Sequence, residues 1–347
     1  MVNPKLNRPT FHVGSTVPVD YFVDRIQPTD DAIKFLTQRK GNVLIVGERK
    51  IGKTSFVSKL RREMERNHAL CVDVNLISYD EDPGAFLKGI LLLLCYEVGE
   101  KIFKKSASDL LFALGNSATV LTGNFGRFFQ IYSLARTMSV SKRRRTSLGG
   151  TVKIPALAET EGGLETESQL EIGGVHPLEF IELARELMDI CRKYKYESII
   201  IFADEANRLA AQTSKEILRS YFDVFSSRNI QFVFVADISL IDYKPIENIF
   251  ELTIKLTHFP DIHCIEELLG RYYREQLGQE YTQYFSDAAI GKIWELSRGH
   301  PYLVQVLCDG SVTGAMASNR VKILVEDVMQ AWVKALEEDR KIIKLWD

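Results

Sequence analysis

The chain has 347 residues, of which 46% are hydrophobic and 26% charged. That composition excludes a disordered or collagen-like chain, and at ~150 residues per domain the length predicts about two domains. Lys and Arg number 44 against 46 Asp and Glu, a formal charge of −2, which argues against a surface given over wholly to nucleic acid but allows a local basic patch.

The opening segment, MVNPKLNRPTFHVG, has no apolar core of signal-peptide type. Residues 42–46 (NVLIV) are a short apolar run ending at Gly47 and predict a buried strand. Residues 53–67 have helical periodicity, with Phe56, Val57, Leu60 and Met64 on one face. Residues 69–77 alternate as a second strand. Residues 83–98 predict a strongly apolar helix, with Pro83 near its start, where a missing N–H costs nothing. It contains the longest unbroken apolar run, 90–96, far short of the ~20 residues that span a bilayer. A cytoplasmic protein with no membrane partner is expected.

The stretch from about 106 to 174 is less regular. It carries the basic run Lys142-Arg143-Arg144-Arg145 and then two alternating segments, around 151–154 and 164–172, between glycine pairs. An insertion bearing a β-hairpin is expected. Its second arm is acidic (Glu159, Glu161, Glu165, Glu167, Glu171), so the hairpin is either a solvated structure with two opposed charge blocks or a partner contact.

Residues 177–194 predict an amphipathic helix, with Phe180, Ile181, Ala184, Leu187, Met188 and Cys191 in register. Residues 198–203 (SIIIFA) are a fully apolar strand, 215–227 a helix, 230–236 (IQFVFVA) another apolar strand, and 251–256 a shorter one. Strands alternating with helices imply a parallel sheet covered on both faces. After about Phe259 strand signals stop, and three or four helices follow, near 262–276, 286–297, 302–317 and 325–338. The expected division is an N-terminal segment at 1–40, a sheet domain at 41–258 and a helical domain at 259–347. The five cysteines form no CxxC pair and the six histidines show no ligand spacing, so buried thiols and no metal framework are expected.

Gly47-Glu48-Arg49-Lys50-Ile51-Gly52-Lys53-Thr54 fits GxxxxGK[ST], followed by Ser55. The glycines let the backbone turn tightly, so that successive N–H groups face phosphate oxygens. The next helix adds the positive end of its dipole. Lys53 is placed to reach the β- and γ-phosphates, and the Thr54 hydroxyl to take a position on Mg2+. A bare glycine-rich turn also matches the pattern, but here it lies between an apolar strand and an amphipathic helix. Further on, Asp204 and Glu205 follow four apolar strand residues. A carboxylate there is costly unless it meets a cation, so Asp204 is expected near Mg2+ and Glu205 as the general base that polarises the attacking water. Asp204-Glu205-Ala206-Asn207 is not the DxxG of a switch GTPase and no NKxD-type guanine reader follows, so ATP is favoured over GTP.

These stretches resemble the P-loop ATPases of the AAA+/STAND group, especially archaeal-type ATPases and AAA-like domains of prokaryotic signalling and defence proteins. The resemblance covers about 17–101 and 177–338. It implies a three-layer α/β/α core with a mostly parallel sheet and a C-terminal all-α lid. Tyr21-Phe22-Val23-Asp24-Arg25 resembles the family's box beside the adenine, which implicates Phe22 and Val23. Ser297-Arg298-Gly299-His300-Pro301-Tyr302-Leu303 resembles the GxP motif of STAND lids, which lays Pro301 against the nucleotide. The resemblance places a polar sensor at Asp237, where relatives carry Arg, Asn, Ser or Thr. An acidic group there opposes a γ-phosphate unless Mg2+ or water intervenes. No arginine finger is assignable; Arg208, Arg219 and Arg228 are candidates only because they follow the Asp204–Glu205 strand. The expected function is an ATP-driven conformational switch in signalling, defence or assembly, working with a homo-oligomer or an effector protein. A DNA-engaging ATPase using Lys142–Arg145, and a scaffold holding ATP without turnover, are the alternatives.

Overall fold

The computed structural model describes residues 8–39, 41–76, 83–115, 122–137, 177–207, 222, 225–226, 229–240 and 250–338. Five strands form one sheet: β1 (Val43–Gly47), β2 (Ala69–Asn75), β3 (Ser198–Asp204), β4 (Ile230–Asp237) and β5 (Leu252–Leu256). Their order is β2-β3-β4-β1-β5, and every pairing is parallel. β1 therefore sits inside the sheet, flanked by β4 and β5, and β4 lies between β1 and β3.

The strand residues alternate between two cores, as a period of two requires. Val43 and Ile45 pack with Phe56, Leu60 and Met64 of α2 (Lys53–Arg66) and with Ala32, Phe35 and Leu36 of α1 (Ile26–Gln38). Leu44 and Val46 face the opposite core, with α3 (Pro83–Lys101), α5 (Gly123–Thr137) and α6 (Pro177–Lys193). All five β1 residues are buried, which is why the sequence shows a continuous apolar run there. The result is a three-layer α/β/α sandwich around a parallel sheet.

The stretch after 106 departs from expectation in its described part. α4 (Ala107–Gly115) and α5 occupy it, and both are helices. Phe128, Ile131, Tyr132 and Ala135 are buried at helical spacing. They cover α3, whose apolar surface is too wide for the sheet alone. Gly123, Gly126 and the aromatic content hid this helix from a pattern reading, because glycine and aromatic residues are ordinary to poor helix formers. The expected hairpin at 151–172, the basic run Lys142–Arg145, most of the helix expected at 215–227, and Arg208, Arg219 and Arg228 lie outside the described residues.

The C-terminal region is helical: α7 (His263–Leu277), α8 (Asp287–Ser297), α9 (Pro301–Ala317) and α10 (Val325–Glu338). One isolated parallel bridge, Phe285 to Ile323, joins two of its loops. Its core is separate from those of the sheet and includes Ile265, Tyr272, Ile293, Leu307 and Val328. Phe11 and Val23 join this core from the front of the chain. All five cysteines are buried. Among the described residues no helix is long and apolar enough to cross a membrane.

Candidate nucleotide site

The loop between β1 and α2 turns through left-handed backbone at Lys50 (φ 62) and Gly52 (φ 95). Gly52 is required there, since a Cβ would also stand 3.1 Å from Arg25 Nη1. Such alternating backbone turns amides toward an anion, and α2 begins at the next residue, Lys53. Lys53 Nζ donates to the Gly47 carbonyl (2.7 Å), the Glu48 carbonyl (2.9 Å) and Asp237 Oδ1 (3.1 Å). A mostly buried ammonium is thus held over the loop by oxygens, a position that suits exchange for phosphate oxygens.

A cavity of about 310 Å³ opens between this loop and the helical region. Lys50 to Ser55 form one wall, Phe22 and Val23 another, and Pro301 the third. Gly47, Glu48 and Arg49 stand outside the wall. Three stretches far apart in sequence therefore meet at one hollow. Tyr21, Phe259 and Leu268 also line it. Tyr21 is fixed by stacking on Tyr272, with ring centroids 4.6 Å apart.

The three acids lie outside the cavity wall, along the C-terminal edge of the same sheet. The pairing of Gly47 with Asp237 sets the end of β4 beside the start of the phosphate loop. Asp204 ends β3, one strand further away. Asp204 Oδ1 accepts the Glu205 N–H at 2.8 Å, and Glu205 is held at φ 60. Asn207 Oδ1 accepts the Asp237 N–H at 2.9 Å, so the turn after β3 grips the end of β4. Both Asp204 and Glu205 are exposed.

Several contacts here were not anticipated from sequence, although Lys50 and Ser55 themselves were expected at the site. Arg25 is 5% exposed, and its Nη2 donates to the carbonyls of Ile51 (2.6 Å) and Thr257 (3.2 Å). It pins the phosphate loop to the end of β5. Burial pulls its guanidinium down to about 10, which leaves it charged at neutral pH. Its place at the end of the Tyr21–Arg25 box was the available signal. Lys50 Nζ lies over the Tyr302 ring, 3.7 Å from its centroid, joining the loop to α9. Ser55 does more than border the hollow: its Oγ accepts the Val17 N–H at 3.0 Å. Upstream, Thr10 exchanges two hydrogen bonds with the Gln276 side chain. Residues 8–17 thus run from the helical region to the phosphate-loop helix, and no local pattern could have shown it.

Gly299 (φ 74) turns the chain between α8 and α9, where a Cβ would fall 2.7 Å from the Phe259 carbonyl oxygen. That close approach allows the Phe259 N–H to bond the Gly299 carbonyl at 2.9 Å. It sets Pro301 at the first turn of α9, facing the cavity. Burial, with His258 nearby, pushes His300 down to about 4, so its ring is neutral at physiological pH.

The residues present fit a nucleoside triphosphate with Mg2+: a glycine-dependent loop, an ammonium held on oxygens, a hydroxyl at Thr54 and a carboxylate edge. No curated protein matches the chain. Among solved structures it is similar to the Orc1 protein of Aeropyrum pernix in complex with DNA, at 10% identity over 91% of this chain and 66% of that one, TM-score 0.48. It is also similar to Cdc6p from Pyrobaculum aerophilum (13%, 92% and 71%, TM-score 0.45). A third is the RuvB Holliday junction branch migration motor of Thermotoga maritima (14%, 89% and 69%, TM-score 0.43). The chain spans about two thirds of the length of those structures. The profile of the KAP family P-loop domain matches residues 42–257, well over half of the sequence and all five strands. The chain belongs to the KAP family of P-loop NTPases.

Proposed function

We propose that this protein binds ATP and hydrolyses it, and that the nucleotide sets how the helical region sits against the sheet. The observation that carries this is the shared cavity, walled by the phosphate loop on one side and Pro301 on the other. A ligand in it touches both parts at once, so a change in phosphate number alters both sets of contacts. Residues 41–258 act as the ATPase core and 259–347 as the lid.

In this reading Lys53 gives up Asp237 and pairs with β- and γ-phosphate oxygens, while Phe22 and Val23 receive the adenine. The Thr54 hydroxyl and the Asp204 carboxylate hold Mg2+, which neutralises phosphate charge. Glu205 takes the proton of the attacking water. Its left-handed backbone supports that role, because strain on the order of 1–3 kcal/mol is retained mainly where a side chain must be aimed. ATP is preferred to GTP because 204–207 lacks DxxG.

Lys53→Ala should abolish ATP–Mg2+ binding by calorimetry with an unchanged circular dichroism spectrum. Glu205→Gln should keep binding and stop phosphate release. Wild-type protein that fails to bind ATP sinks the proposal; full turnover by Glu205→Gln removes Glu205 from it. Wild-type turnover equal to that of Glu205→Gln would leave ATP as a structural ligand on a scaffold. Sizing with and without ATP–Mg2+ reports whether a second copy joins. The DNA-engaging reading rested on Lys142–Arg145, and no described feature favours it.

A further inference from the structure

Three side chains from distant parts of the sequence converge beside the phosphate loop. Glu48 belongs to the loop itself, His258 follows β5, and His300 directly precedes α9. One ligand atom from each lies within 4.8 Å of the other two. We propose that Glu48, His258 and His300 form a binding site for a divalent transition-metal ion, of the kind zinc fills with imidazole and carboxylate ligands.

The geometry of each group points the same way. His258 Nδ1 is 3.1 Å from the Arg298 carbonyl oxygen, so that nitrogen carries the proton and donates it. An imidazole N–H bonded to a backbone carbonyl is the usual support of a metal-binding histidine. The other nitrogen, Nε2, then presents its lone pair, and it is buried without a hydrogen-bond partner. It lies 3.5 Å from Glu48 Oε2. That is close to the ~3.3 Å edge of a tetrahedron built on ~2.0 Å bonds. His300 is wholly buried, and neither of its ring nitrogens makes a well-formed hydrogen bond. Buried polar atoms are rarely left so. The two rings stand edge to face, with centroids 5.1 Å apart. A simple Glu48–His258 ion pair accounts for two of these groups and leaves His300 unexplained; a metal ion accounts for all three. Three protein ligands leave a fourth position for water or another oxygen.

None of the three residues lines the nucleotide cavity, and the site shares no residue with the one assigned to Mg2+ at Thr54 and Asp204. Its ligands come from the phosphate loop, the end of the sheet and the helical region, and an ion there would clip the three together.

The test uses the untagged full chain, stripped with a chelator, in the absence of nucleotide. Zinc sulfate is titrated by calorimetry and cobalt(II) by visible absorption. One zinc ion per chain is expected, with cobalt d–d bands and no thiolate charge-transfer band. Glu48 and His258 side chains are 53% and 36% exposed, so Glu48→Gln and His258→Asn should fold. Each should weaken zinc binding at least tenfold. Failure of the wild type to bind zinc saturably, or binding unchanged in both variants, overturns the proposal. Because nucleotide is left out, the outcome is independent of whether ATP is bound or hydrolysed.

Discussion

Asp237 places a carboxylate 3.1 Å from the ammonium of Lys53, and replacing it should tighten ATP binding. The carboxylate occupies Lys53, which the proposed reading gives to phosphate. In the proposed reading, a γ-phosphate oxygen in contact with Lys53 would stand roughly 5 Å from that carboxylate, carrying like charge. Two unit charges at that distance repel by about 3 kcal/mol at an effective dielectric of 20 and by about 0.8 kcal/mol in water. Asp237 is 61% exposed, which moves the effect toward the lower figure. About 1 kcal/mol is the resulting gain for Asp237→Asn, or roughly a fivefold lower Kd. Calorimetry with a non-hydrolysable ATP analogue measures it directly. The gain should shrink when salt is raised from ~0.1 M to ~1 M, as the screening length falls from about 10 to 3 Å. ADP, lacking the γ-phosphate, should show a smaller gain. Weaker or unchanged ATP binding by Asp237→Asn would refute the repulsion argument and make Asp237 a favourable part of the site.

Gly52→Ala should lower urea stability by about 1–2 kcal/mol, since it forces a Cβ into φ 95 beside Arg25; it should also lose ATP binding, and wild-type affinity in that variant would show that the loop is not the phosphate cradle. The buried thiols should resist alkylation in the native protein: burial raises Cys71 and Cys191 to about 12 and Cys264 to about 11. Native protein at pH 8.5 should therefore react with iodoacetamide far more slowly than urea-unfolded protein. The same shifts remove stability as pH rises, because unfolded thiols release protons from about pH 9 while the folded ones hold theirs toward 11–12; a thermal midpoint that did not fall across that window would contradict the burial argument.

The parts of this molecule that could be read from sequence are those whose physics is local. β1 and the 47–54 loop announce themselves because a buried parallel strand must be apolar throughout and a phosphate turn must place its glycines at fixed spacing. The amphipathic helices 177–193 and 325–338 announce themselves through their period. Asp204 and Asp237 were visible as charges ending apolar runs, and the observed strand order puts them on one sheet edge with Gly47. What stayed hidden depends on closure between remote segments. Ser55 accepting from Val17, Arg25 bonding Thr257, and the meeting of Glu48 with His258 and His300 leave no periodic trace. α5 was missed for a different reason: its glycines and aromatics look irregular until α3 supplies the surface that they cover.

The front of the chain has a mechanical consequence. Thr10 is fastened to Gln276 on α7, and Val17 to Ser55 on α2. The few residues between those fastenings reach at most ~25 Å when pulled straight. They form a leash across the hollow, and any swing of the two halves in the proposed switch would be capped at that reach unless one knot came undone.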